Sequence, residues 1–268
     1  MKIFLTGATG YIGKRLLIQL LEEGHRVVCS VRDKKRLSLK LYQNHLDKIE
    51  IIENDFLDKN TLANIPKDID FAYYLVHSMS SNDGDFLEKE RISAQNFRKA
   101  LENTSVKQVV FLTGIINEEK LSKHLQSRKN VEQALKSNHY ALTCLRAGII
   151  VGSGSASFEI IRDLVEKLPI MVAPKWLKTK CQPIAIRNVI QFLIKVLGVE
   201  KTYHQNYDIA SDDVLTYKEM LQQYAEVRRL KRWIYTVPVM TPKLSSYWLY
   251  FITSTSYSLA INLVDSMK

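Results

Sequence analysis

Apolar residues first gather at 2–6, as Lys2-Ile3-Phe4-Leu5-Thr6, and then change rhythm. Ile12, Leu16, Leu17, Leu20 and Leu21 recur on one face of a helix predicted over 11–23, which Gly24 closes. A valine-rich run over 25–31 follows, so strand, helix and strand fit within about thirty residues, the βαβ unit of a parallel sheet. The alternation continues with strands expected at 49–52, 71–76, 106–113 and 141–145, and helices at 85–103 and 118–137. Tyr73-Tyr74-Leu75-Val76 and Val109-Val110-Phe111-Leu112 are continuous apolar runs, as strands covered on both faces require.

After residue 148 the pattern loosens. Helices are expected at 158–168, 187–197 and 217–229, strands at 205–210 and 233–237, and a loop over 169–180, which holds two of the six prolines. No repeat or low-complexity linker divides the chain. The reading is therefore a core over 1–150 and a substrate lobe over 151–268 packed on it as one structural unit.

The turn between the first strand and helix is Thr6-Gly7-Ala8-Thr9-Gly10-Tyr11-Ile12-Gly13. Its spacing and its place between strand and helix match a dinucleotide-binding fingerprint. Gly7 allows the tight turn, Gly10 lets backbone approach a pyrophosphate, and Gly13 lets the helix pack closely on the strand. Thr9, Tyr11 and Ile12 complete the cradle, whose helix N-terminus offers N–H groups to phosphates. The second strand ends in Val31-Arg32-Asp33, nineteen residues after Gly13. A guanidinium there suits a 2′-phosphate and an acid suits ribose hydroxyls, so Arg32 favours NADP(H), with NAD(H) through Asp33 as the alternative.

The chain resembles the atypical short-chain dehydrogenases/reductases, in particular the NmrA-like NAD(P)-binding group related to nucleoside-diphosphate-sugar epimerases. The residues that carry the likeness are 6–13, Val31-Arg32-Asp33, Asn54-Asp55-Phe56, 73–79, 95–97, 145–152 and 182–186. The resemblance implies an α/β fold, a Rossmann-type parallel sheet flanked by helices with a small C-terminal substrate lobe. It also implies that Asp55 and Phe56 sit against the adenine. Val76, His77 and Ser78 would line the ribose and nicotinamide side, and Thr113 would stand where the family often keeps a catalytic hydroxyl.

The superfamily's usual Tyr-x-x-x-Lys dyad is missing: none of the thirteen tyrosines has a lysine four residues later. By spacing to Ser127 and Glu132, the tyrosine place falls on His124 and the lysine place on Arg128. His124 is a proton donor suited to neutral pH, and Arg128 a permanently charged ribose holder. The other reading is a helix whose His and Arg have binding roles only. The function expected is an NADPH-binding oxidoreductase-like protein acting on an unidentified small organic carbonyl or sugar-nucleotide-like substrate, and the rival is a non-catalytic NADP(H)-binding sensor, regulatory or assembly protein.

Composition changes the picture little. Three cysteines far apart exclude a disulfide framework or zinc ribbon and suit a reducing, cytoplasmic setting. The formal charge of +10 comes with no helix-turn-helix, RNP or zinc pattern, so no nucleic-acid partner is expected. The chain begins without the long apolar region of a signal peptide. Residues 244–264 carry no charge but include seven Ser or Thr, so a buried closing segment is expected there, ahead of peripheral membrane contact.

Overall fold

The computed structural model describes residues 1–76, 86–116 and 123–237, without the side chains of Lys123 and His124. In chain order its strands and helices are β1 Lys2–Thr6, α1 Tyr11–Glu22, β2 Arg26–Val31, β3 Ile49–Glu53, β4 Phe71–Tyr74, α2 Phe86–Leu101, β5 Gln108–Gly114 and α3 Lys123–Leu135. The second half adds β6 Ala141–Ala147, β7 Ile149–Val151, α4 Ala156–Lys167, β8 Ile170–Pro174, β9 Lys180–Cys181, β10 Pro183–Ala185 and α5 Ile186–Lys195. It ends with β11 Asn206–Ile209, β12 Leu215–Thr216, α6 Tyr217–Val227 and β13 Trp233–Val237.

Alternate residues of a strand point to opposite faces, and here both faces are covered. Ile3 and Leu5 of β1, Val110 and Leu112 of β5 and Leu145 of β6 join Leu16, Leu20, Val189 and Leu193 of α1 and α5 in one core. Phe4, Val109, Phe111 and Cys144 point the other way, into a second core with Ala94, Phe97 and Leu101 of α2 and Val131 and Leu135 of α3. The sheet between them is wholly parallel, in the order β11-β6-β5-β4-β1-β2-β3. This is the Rossmann-type arrangement expected.

The chain runs from β1 outward to β3, then returns to the other side of β1 as β4. Such a reversal leaves a crevice beyond the carboxyl ends of the two central strands, where α/β proteins bind ligands. A third core lies apart, where Ile160, Leu164 and Val165 of α4 meet Met171, Met220, Leu221 and Ile234.

The loop expected over 169–180 is not one. Ile170–Pro174 forms β8, parallel to β13, and residues 175–178 form a 3-10 turn before β9. Prolines at 169 and 174 suggested a loop, yet both sit at the strand's limits, where a missing N–H costs nothing. The uncharged stretch 244–264 lies outside the described residues. Among those described, no helix is long and apolar enough to cross a membrane.

Candidate functional site

The glycine-rich turn occupies the crevice, and each glycine answers a different constraint. Gly7 has φ of +73°, and a Cβ there would lie 2.7 Å from the Leu75 carbonyl oxygen just beyond β4. The Gly10 N–H closes the turn onto the Gly7 carbonyl at 2.9 Å. A Cβ on Gly13 would lie 2.1 Å from the Gly7 carbonyl oxygen, so the first turn of α1 can rest on the loop only without one. Gly10 differs, since its Cβ would meet nothing closer than the Gly7 carbonyl oxygen at 3.2 Å. The side left open at Gly10 is a cradle over the helix start. No side chain caps α1 and no acid occupies its first turn, so its N–H groups and positive dipole end stay available to an anion. Thr9, Tyr11 and Ile12 are half-buried around this cradle. These residues fit the pyrophosphate of a dinucleotide.

Thr6 holds the seam under the loop. Its buried hydroxyl donates to the Tyr73 carbonyl and accepts from the Leu75 N–H, both at 3.0 Å, tying the ends of β1 and β4 together. The motif contains this residue, but the spacing alone gives it no role.

Beyond β2 and β3 lie the residues expected at the adenosine end. Asp33 turns a carboxylate oxygen to the Lys35 N–H at 2.8 Å and so caps the short turn 34–36. Glu53 accepts from the Lys34 N–H at 2.8 Å. Arg32 is exposed and makes no hydrogen bond or ion pair among the described residues. Asp55 shapes a turn by accepting from the Leu57 N–H at 2.9 Å, and its own N–H donates to Thr61 Oγ1 at 2.9 Å. The Phe56 ring points into the core, 6 % exposed and edge-on to Phe97 at 5.5 Å, while its carbonyl accepts from Asn96 at 2.7 Å.

At the opposite end of the crevice Val76 is half-buried, and His77 and Ser78 lie outside the described residues. Thr113 closes β5 with only 6 % of its surface exposed, and its Oγ1 has no hydrogen-bond partner among the described residues. A buried hydroxyl in that state is disfavoured unless something else satisfies it. Helix α3 carries His124, whose side chain lies outside the described residues.

Arg128, one turn further along α3, is buried at 5 % exposure. Its guanidinium donates to the Leu112 carbonyl at 3.0 Å, lies 3.6 Å from Glu90 and stands 4.9 Å over the Phe111 ring. Burial pulls its pKa down, and the Glu90 carboxylate works against that pull. Ser127 donates to the same carboxylate at 2.5 Å. Glu90 sits inside the run Glu88-Lys89-Glu90-Arg91, which gives no sequence signal that one of its acids turns inward. The neighbouring Arg146 likewise pairs with Glu132 of α3, both carboxylate oxygens lying at 3.0 Å.

The C-terminal half reaches the cradle through one turn. A Cβ on Gly152 would lie 2.7 Å from the Tyr11 hydroxyl and 2.5 Å from Ile186 Cγ2. Arg15 stacks on the Tyr11 ring at 4.1 Å and donates to the Ser153 carbonyl at 2.9 Å. Burial at this contact pushes the Tyr11 phenol pKa up.

Comparison with known proteins agrees with this geometry. A family model described as NAD(P)H-binding matches residues 7–156, from the first glycine of the loop into α4. No curated protein matches the chain. Among solved structures, UDP-N-acetylglucosamine 4-epimerase from Bacillus cereus is similar, with TM-score 0.71 and 16 % identity, covering 99 % of this chain and 95 % of its own. MoeE5 in complex with UDP-glucose and NAD superposes with TM-score 0.68 and 16 % identity over 100 % of this chain and 98 % of its own. Pen from Bacillus thuringiensis gives TM-score 0.72 and 16 % identity over 89 % and 77 %. At such identity these likenesses establish the fold alone, a Rossmann-type architecture. The family match covers more than half of the chain and begins on the loop built for a pyrophosphate, so the chain belongs to the NAD(P)H-binding family and its cofactor is a nicotinamide dinucleotide.

Proposed function

We propose that the protein is an NADPH-binding oxidoreductase-like protein acting on a small organic carbonyl or a sugar-nucleotide-like substrate. The observation that carries the cofactor preference is the division of labour after β2. Asp33, the acid that follows Arg32, already caps the 34–36 turn, whereas Arg32 is exposed and has no hydrogen-bond or ion-pair partner among the described residues. An unengaged guanidinium at this place offers paired, charge-assisted hydrogen bonds to a 2′-phosphate. Gly7, Gly10, Gly13 and the first turn of α1 hold the pyrophosphate, and the chain at 55–56 borders the adenine. When bound, the nicotinamide supplies hydride transfer. Thr113 provides a hydroxyl at the end of β5, and His124 is the proton donor of this reading.

The test titrates the intact protein with NADPH and NADH. Arg32→Glu is expected to weaken NADPH by roughly tenfold or more and NADH far less, since a charge-assisted pair is exchanged for like-charge repulsion. Equal loss for both cofactors sinks the preference. His124→Ala is expected to slow any measured carbonyl reduction by roughly a hundredfold, the usual worth of a positioned proton donor.

One observation favours a second reading, a non-catalytic NADP(H)-binding sensor or assembly protein. At the position where a catalytic lysine would hold the ribose, Arg128 is buried against Glu90, Phe111 and the Leu112 carbonyl. Tight NADPH binding with no carbonyl reduction above the uncatalysed rate selects this reading over the first, whereas a measurable rate that His124→Ala leaves unchanged removes only the role of His124.

A further inference from the structure

In the C-terminal half, α4, α6 and the 175–178 turn form a cleft lined by none of the crevice residues. Buried Ile160, Ile161, Leu164, Leu177, Met220 and Leu221 line it, and its walls include neither a charged side chain nor an amide. Half-buried Trp176 and Tyr217 complete the walls, their rings edge to face at 5.8 Å. The cleft holds about 30 Å³ of enclosed room, and about 420 Å³ is free when its mouth to solvent is counted. A ligand therefore places one apolar edge inside and the rest of itself in the mouth.

One polar atom of these walls points to a ligand. Trp176 Nε1 is shut off from solvent and donates to nothing among the described residues. An indole N–H ordinarily finds an acceptor when buried, so this one calls for a group that brings its own. Apolar walls with a few placed polar groups are what small-molecule sites are made of. No cation in the walls would meet a nucleotide's phosphates, and a charge held there would lack a partner. The cleft is tied to the cofactor cradle through α4. Ser157, part of its wall, stands less than a helical turn after Ser155, whose hydroxyl caps the helix. The turn just before that cap brings Gly152 and Gly154 against the Tyr11 side chain.

We propose that this cleft binds the uncharged, apolar part of a substrate, one of whose oxygens accepts from Trp176 Nε1. The inference rests on the oxidoreductase-like reading above and selects its small organic carbonyl over the sugar nucleotide. The test titrates the full chain, with and without NADPH, by ligand-observed NMR. Its probes are acetophenone, ethylbenzene, which is similar in size but has no acceptor, and UDP-glucose. Trp176→Phe keeps a ring and removes the N–H, so it is expected to weaken acetophenone roughly three- to tenfold more than ethylbenzene. Ser157→Trp is expected to abolish binding of both aromatics and leave NADPH affinity unchanged. If that variant melts early, Ser157→Leu serves as the smaller plug, with a loss of roughly tenfold expected. Binding of neither aromatic, equal loss of both in Trp176→Phe, or UDP-glucose binding that Ser157→Trp abolishes overturns the proposal. The oxidoreductase reading fails by a different result. Aromatic binding that depends on the Trp176 N–H, with no NADPH-dependent carbonyl reduction, supports the cleft and sinks catalysis.

Discussion

An alanine at Gly13 would place its Cβ 2.1 Å from the Gly7 carbonyl oxygen, against backbone that has nowhere to retreat. Gly13→Ala is therefore expected to destabilise the protein by about 1–3 kcal/mol, seen as a lower Tm, and to weaken the cofactor as well. Gly10→Ala should separate those effects. Its Cβ meets one atom at 3.2 Å, so Tm should stay nearly unchanged while affinity for NADPH falls by roughly tenfold as the methyl fills the cradle. Equal Tm losses at the two positions would contradict that division. Arg128→Met leaves the Glu90 carboxylate buried without its guanidinium and should cost about 3–5 kcal/mol, while Glu90→Gln/Arg128→Met should cost less than the two single changes summed. A thermal-melt double-mutant cycle measures this. The glycines could be read from sequence because their task excludes every other residue. Arg128 could be found by spacing, but its partner could not, since a helix with four consecutive charged residues does not say which one faces inward.

At the scale of elements, α1 announces itself through its leucine stripe, but α5 is where stability should concentrate. Val189, Ile190 and Leu193 join α1 and the sheet in one core, and the Leu193 carbonyl accepts from the buried Tyr73 hydroxyl at 2.9 Å. Leu193→Ala should cost about 2–5 kcal/mol by opening a cavity there, measured by denaturant unfolding. The short pairings of β7 with β10 and β9 with β12 had no signature, because two or three residues are too few to show a period. Strand β8 was hidden differently. Both of its faces are apolar, so the alternation that betrays a half-exposed strand is absent.

Across the whole molecule, burial shifts thiols and phenols in one direction. It pushes Cys29 up to about 12 and Cys181 up to about 11, from an ordinary thiol value of 9.0, and raises Cys144, Tyr73, Tyr74, Tyr140 and Tyr217 as well. In these groups the folded protein keeps protons that the unfolded chain releases above about pH 9, so stability is intact below that pH and falls as pH rises through the folded values. Tm measured at about pH 10.5 should lie below that at about pH 8, with the fall setting in near pH 9, and a flat or rising profile contradicts the assignment. The fold was legible at this scale because strand and helix periods alternate so regularly. A substrate was not, because no charged constellation in the sequence names one.

The strand at the sheet's edge carries one more consequence. The family match ends at residue 156, yet β11 pairs along β6 and α5 covers α1, both contributed by residues 186–209. The dinucleotide-binding half is therefore not a detachable module. A fragment ending at 156 would bare the open backbone of β6 and the oily flank of α1, and should emerge as aggregate in gel filtration rather than as a cooperative unit. Any chimaera joining this loop to another protein's lobe must bring the 186–209 return along with it.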